Sequence, residues 1–364
     1  EDNYVAGNNA ILGESPSLNP GIRYNVFPNL NITWEKYLNK NLGVDISFLK
    51  HFTATAEYWH TLTYDILSTR IQSTPPTFSR PLPSVNYGKM KANGIDLSLN
   101  YTNNVGEFKY DVGLNATYGN SWYVLRDQNI TYDYQNIIGG GRSANMITGY
   151  TVDHLLRSQA DVDALLAAHP GYNFNGNVPK PGQFAYKDFN GDNTINDNDI
   201  TILNKSNNAK VLGLNLNAEW KGLSVTANFN GSFGYKKSFR DLSGGVEWNR
   251  MWRPWSDESW SEENPNAWLP FRYSANDDVR SVNTSGSNFW LADASFLRLK
   301  FLNVAYNVPH KLYKKYLSNV RFYVSGSNLF VISKFNKKFY DPEMNGGTAF
   351  PIVKSFNAGV SVTF

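Results

Sequence analysis

The feature that most constrains this chain is a strict alternation of apolar and small polar residues, repeated along much of its 364 residues. From Phe52 to Ile66 the even positions run Phe52, Ala54, Ala56, Tyr58, His60, Leu62, Tyr64, Ile66, against Thr53, Thr55, Glu57, Thr61, Thr63 and Asp65. The same period holds for Phe108, Tyr110, Val112, Leu114, Ala116 and Tyr118 against Lys109, Asp111, Gly113, Asn115 and Thr117, and for Leu212, Leu214, Leu216, Ala218 and Trp220 against Gly213, Asn215, Asn217 and Glu219. A period of two sends successive side chains to opposite faces of a strand, so each stretch reads as a strand with one apolar and one polar face. Nine such strands are expected, near 37–49, 51–66, 90–102, 105–119, 209–220, 222–236, 293–307, 319–333 and 353–364. Most outrun the roughly 5–6 residues usual in globular sheets and match the roughly 9–11 that cross a bilayer. Within 293–307 the parity changes, from Leu297, Leu299, Phe301 to Leu302, Val304, Tyr306, which predicts a bulge.

The connections alternate in length. Tight joins near Lys50, near Asn103 and Asn104, and at Lys221 and Gly222 interleave with long ones at 67–89, 120–208, 237–292 and 334–352. Outer-membrane barrels pair short periplasmic turns with longer extracellular loops, so the long connections are expected outside. Phe356, Ala358, Val360, Val362 and Phe364 share one face of the last strand, an ending that resembles the insertion signal of bacterial outer-membrane proteins. A soluble antiparallel sandwich is the competing all-β reading. Against it, the apolar faces above contain no Lys, Arg, Asp or Glu. A charge on a lipid-facing position costs about 2–4 kcal/mol at the midplane. The fold class expected is therefore all-β, a transmembrane antiparallel β-barrel with long extracellular loops.

Composition agrees. Aromatic residues make up 15% and charged residues 18% of the chain, which suits aromatic girdles around a polar lumen. No run approaches the roughly 18 apolar residues of a spanning helix. The absence of Cys removes disulfides and thiolate chemistry, and a net charge of +3 is no nucleic-acid footprint. The first residues have neither a basic start nor an apolar core, so no signal peptide is legible.

Several segments, taken together, carry a family resemblance. FWLADASFLRLKFLNVAYNVPHKL, VRFYVSGSNLFVISKF and YDPEMNGGTAFPIVKSFNAGVSVTF resemble the closing strands of SusC-like (RagA-like) TonB-dependent transporters. NITWEKYLNKNLGVDIS, ATAEYWHTLTYDIL and WSDESWSEENPNAWLPF resemble upstream segments of the same family, in the same order. Trp59 and Thr61 depart from it, and 135–172 matches no family segment; there, Ser158 and Asp161 predict a helix N-cap with the helix running through Leu165 and Leu166.

The resemblance implies that residues 1–364 are the C-terminal portion of one 22-stranded barrel, with the plug, TonB box and first strands outside the chain. It implies that 120–208 and 237–292 are long extracellular loops. It also implies energised import of an oligosaccharide or peptide across the outer membrane of a Gram-negative, Bacteroidota-type bacterium, under a SusD-like lipoprotein lid and driven through TonB–ExbB–ExbD. The partners implied are that lipoprotein, the remaining strands and plug, and outer-membrane lipid. A passive porin or adhesin barrel, and a soluble calcium-stabilised β interaction module, are the alternatives.

The sharpest local motif is DFNGDNTINDND, which sets Asp188, Asn190, Asp192, Thr194 and Asp199 at positions 1, 3, 5, 7 and 12 of a calcium loop. Asn193 stands where Gly is usual and tolerates left-handed backbone. Asp at position 12 looks more like a dockerin-type loop than an EF-hand. A structural Ca²⁺ is expected here, against an Asx-rich turn holding no metal. In 237–292, Trp248, Trp252, Trp255, Trp260 and Trp268 could stack on a substrate or meet a lid, against packing within the loop. Phe356, Val360, Val362 and Phe364 are the candidate insertion signal. Catalytic signatures are not found: the five histidines form no HExxH pair, and Gly139 to Arg142 lacks the Lys-Ser/Thr of a phosphate loop.

Overall fold

The structure is a computed structural model that describes residues 3–7, 10–12, 17–19, 21–26, 29–70, 82–127, 142–243, 252–274, 277, 279–313, 317–347 and 349–364. Nine antiparallel strands form one sheet in chain order: β1 (Lys36–Phe48), β2 (Phe52–Thr69), β3 (Ser84–Val105), β4 (Phe108–Leu125), β5 (Lys210–Trp220), β6 (Leu223–Phe233), β7 (Phe296–Asn307), β8 (Asn319–Ser333) and β9 (Ser355–Thr363). All nine expected strands are present. The chain forms two compact units, 1–41 with 59–93 and 120–144, and 42–58 with 94–119 and 145–364.

The register shows why the alternation is there. Directly paired residues share a face, and one row runs Val112, Leu216, Ala227, Leu302, Gly326, Phe356 across six strands. A second runs Tyr110, Ala218, Val225, Val304, Val324, Ala358. The opposite face carries Asp111, Asn217, Thr226, Asn303, Ser325 and Asn357 in one row. The apolar face is open, with Val324 59% and Val360 55% exposed. Water does not tolerate so continuous an apolar surface on a monomer, whereas hydrocarbon does.

The bulge is present and falls at Lys300. Asn228 pairs with Phe301 and Phe229 with Leu299, leaving Lys300 unpaired, and the same interruption recurs against β8 beside Asn328, whose φ is 54°. Leu297 and Leu299 thus join the apolar rows, while Phe301 pairs with Ser327 and sits on the polar side. Arg298, paired with Asn230, shares that polar face.

Strand length differs from expectation. β2, β3 and β4 run to 18, 22 and 18 residues, well past the roughly 9–11 needed to span. Parts of the expected loops at 67–89 and 120–208 are therefore strand, because ladder hydrogen bonds continue wherever neighbours keep pace. The helix near Ser158 is present as α1 (Gln159–Ala168), with a complete capping box between Ser158 and Asp161. Residues 139–141 and Trp248 lie outside the described residues.

Candidate functional site: a folded loop layer

The main buried cluster does not lie in the sheet. It is built from the long connections: Tyr150, Tyr172, Phe174, Phe184, Tyr186 and Ile195 from the segment before β5, Phe239, Trp255, Leu269, Val282 and Trp290 from the segment before β7, and Phe335, Tyr340 and Met344 from the segment after β8. Burying large rings contributes roughly 2–3 kcal/mol each, enough to order segments that could not fold singly. Short ladders fix the first segment, Val152–Leu155 on Phe184–Tyr186 and Ile147–Gly149 on Thr201–Asn204. The Tyr172 hydroxyl donates to the Tyr186 carbonyl at 3.0 Å and accepts from the Tyr186 N–H at 2.7 Å. Burial, with smaller contributions from Asp199, Asp188 and Asp153, pushes the Tyr172 phenol up to about 12.

Asn283, 2% exposed, joins the first two segments. Its amide nitrogen donates to the carbonyls of Gly182 at 3.0 Å and Phe271 at 2.8 Å, its amide oxygen accepts from Phe184 N–H at 3.1 Å, and its own carbonyl accepts from Trp290 Nε1 at 3.1 Å. Nothing in the local sequence marks this residue.

The tryptophans divide. Trp255 and Trp260 are 6% and 8% exposed, and their ring nitrogens donate to the carbonyls of Leu242 and Arg157. Of the two readings the sequence left open, packing within the loop describes these two, whose rings are buried in the layer. Trp252 and Trp268 are half-buried against the same core, and Lys338 Nζ lies 3.5 Å from the centre of the Trp268 ring.

The loop from Asp188 to Asp199 is closed by its own amides. Asp188 accepts from the N–H groups of Gly191 at 2.6 Å and Asn193 at 2.7 Å, and Asp192 from Thr194 at 2.7 Å. Asp199, fully buried, accepts from Phe189 at 2.8 Å and Asn196 at 2.9 Å. Asn193 is left-handed, with φ 59°, as its place in the motif requires. Burial pushes the Asp188 carboxyl up, but the N–H donors outweigh it and hold the group below the usual carboxylate range. The Asn190 amide donates to Asp192 at 3.0 Å, turning a donor rather than an oxygen toward that carboxylate. No group of three or more His, Cys, Asp or Glu among the described residues is placed to hold a metal ion. A ladder of Asx turns orders the loop, and Asp188, Asn190, Asp192, Thr194 and Asp199 all take part in it.

Arg298 supplies a second buried charge. Its side chain is 2% exposed, and one terminal nitrogen reaches both carboxylate oxygens of Asp341, at 2.5 and 2.6 Å. Its Nε, without a partner of hydrogen-bond geometry, forms an ion pair with Glu343, and Lys300 lies 3.7 Å from that carboxylate's other oxygen. Lys237 Nζ donates to the carbonyls of Pro342 and Met344. The nearby Tyr235 phenol is pushed up to about 12 by burial first, then by Glu343, Asp293 and Asp341. The sequence signal was present: two cations inside an otherwise apolar strand, FLRLKF, and an acidic pair in YDPE. Their meeting was not legible.

Phe356, Val360, Val362 and Phe364 all lie exposed on or just beyond β9, at an edge of the sheet. A sheet of long strands with one unbroken apolar face, an amide- and hydroxyl-rich opposite face and a folded layer on its long connections has the build of an outer-membrane β-barrel wall.

No family model matches the chain. It is similar to TonB-dependent receptor P26 of Formosa agariphila, 24% identical over 92% of this chain and 35% of the relative. It is similar also to TonB-dependent receptor P3 of the same organism, 22% identical over 94% of this chain and 36% of the relative. The TonB-dependent receptor SusC of Bacteroides thetaiotaomicron is 24% identical over 92% of this chain and 32% of its own length. Among solved structures, the RagAB peptide transporter matches the whole chain with a TM-score of 0.70 at 22% identity, over 38% of that chain. The chain is thus similar over nearly its whole length to TonB-dependent receptors, SusC among them, and its fold is that of part of an outer-membrane barrel. It spans about a third of the length of the curated relatives it matches.

Proposed function

We propose that this chain forms part of the wall and the outer loop layer of a TonB-dependent importer that takes up a bulky nutrient, an oligosaccharide or a peptide, together with a SusD-like surface lipoprotein. One observation carries the reading: a lipid-compatible face and a polar face are joined on one sheet whose long connections fold into a single layer with its own core. Such a layer offers a preformed surface to a lid, so docking does not have to order long free loops first. SusC and the RagAB peptide transporter are the named relatives on which the import and lipoprotein assignments rest. Those relatives are receptors and transporters, which supports transport rather than bond-making chemistry.

The experiment is to delete the gene in its own bacterium and follow uptake of labelled oligosaccharides and peptides, with and without the proton gradient that energises TonB. Loss of one uptake that also collapses with the gradient, and co-purification of a surface lipoprotein, are the expected results. Gradient-independent uptake would instead identify a passive porin.

A further inference from the structure

We propose that Arg298, Asp341 and Glu343 form a charge latch that straps the segment after β8 onto the polar face of the sheet and thereby couples the loop layer to the barrel wall. Arg298 belongs to the wall itself, hydrogen-bonded on β7 between β6 and β8. Its guanidinium cannot shed its proton, so without partners it would stand as an uncompensated charge at a position 2% exposed. Asp341 and Glu343 supply those partners from a single short run, and an Asx turn from Glu343 N–H to Asp341 at 3.0 Å aligns them.

The strap's other contacts lead away from the wall. Tyr340 donates to the Ser238 carbonyl at 2.9 Å, Gly347 N–H donates to Asp241, and Lys237 donates to the carbonyls on either side of Glu343. Strap, wall and the segment before β7 therefore meet at one cluster. The charged and titratable groups facing it are Arg298 and Lys300 from β7, Lys237, Tyr235, Asp241 and Asp293 from the preceding segment, and Tyr340, Asp341 and Glu343 from the strap. Apolar packing of Phe335 and Met344 is indifferent to the sign of these charges. The latch is not, and that difference makes the proposal testable.

The full receptor is assembled in outer membranes and digested with endoproteinase Lys-C, reading cleavage at Lys337, Lys338 and Lys354, with heat-modifiability on gels as the check that the barrel has formed. R298D and D341R should each raise cleavage at least about tenfold, because each brings like charges together, and the R298D/D341R pair made together with E343Q should restore most of the protection, since it exchanges the partners and removes the Glu343 charge that the swap would leave opposed. Should R298D fail to assemble, R298Q with and without D341N/E343Q gives the same comparison, the neutral combination being the better protected. Single variants as protected as the parent, or a charge-swapped pair as open as the singles, would overturn the latch.

Discussion

Leu114 and Asn115 are adjacent on β4 and should respond oppositely to the same substitution. Leu114 pairs with Leu214, which pairs with Phe229, within the apolar rows, whereas Asn115 pairs with Gly213, which pairs with Asn230 on the polar face. Leu114 lies six residues beyond Phe108, where β4 begins. At about 3.3 Å per residue and a tilt near 45°, that is roughly 14 Å into a hydrocarbon core about 30 Å thick, close to its midplane. Leu114→Arg should therefore cost about 2–4 kcal/mol, a shift of roughly thirty- to eight-hundredfold in the folded population. Asn115→Arg should fall within about 0.5 kcal/mol, since its neighbour Gly213 has no side chain to displace. The assay is outer-membrane abundance and heat-modifiability of each variant expressed alike. Equal behaviour of the two would refute the facing of the entire sheet, because the register ties every strand from β4 to β9 to this parity.

Four further outcomes are expected. Asn283→Ala removes partners from the carbonyls of Gly182 and Phe271 and the N–H of Phe184, so hydrogen exchange at the Phe184 amide should speed up by an amount equivalent to about 2–4 kcal/mol while the barrel remains heat-modifiable. Because burial raises the Tyr172 phenol to about 12, its contribution is complete below the unfolded tyrosine value near 10 and lost as pH climbs through 12. Tyr172→Phe should lessen, without abolishing, the loss of loop-layer protection in an alkaline titration, since Tyr235 is raised in the same way. Chelator should raise protease cleavage at Lys187 and Lys205 and added calcium should reverse it, as a cation in the Asp188 to Asp199 loop requires; cleavage indifferent to both would leave the loop to its Asx turns alone. Deleting Phe364 should lower the amount of barrel in the outer membrane without changing uptake per assembled molecule, and normal abundance with lost uptake would contradict its assignment to insertion.

The strand pattern was legible because it is a local matter. Side-chain direction in a strand depends only on position, so the period of two in β4, β5 and β6 declared both the strands and their faces before any partner was known. The helix cap at Ser158 and Asp161 was legible for the same reason, since its hydrogen bonds close within four residues. The bulge was visible as a change of parity, but only pairing with Asn228 and Ser327 placed it at Lys300 and turned Phe301 inward. The Asp188 to Asp199 motif showed its oxygen-bearing residues without showing the backbone N–H groups, silent in sequence, that bond to them. Tertiary structure alone decided that three connections separated by whole strands would share one aromatic core. It likewise decided that Asn283 would bind segments about 100 residues apart, and that Arg298 would find Asp341 and Glu343 across a reversal of the chain. Those contacts depend on where distant backbones come to rest, and the period of a strand carries no information about that.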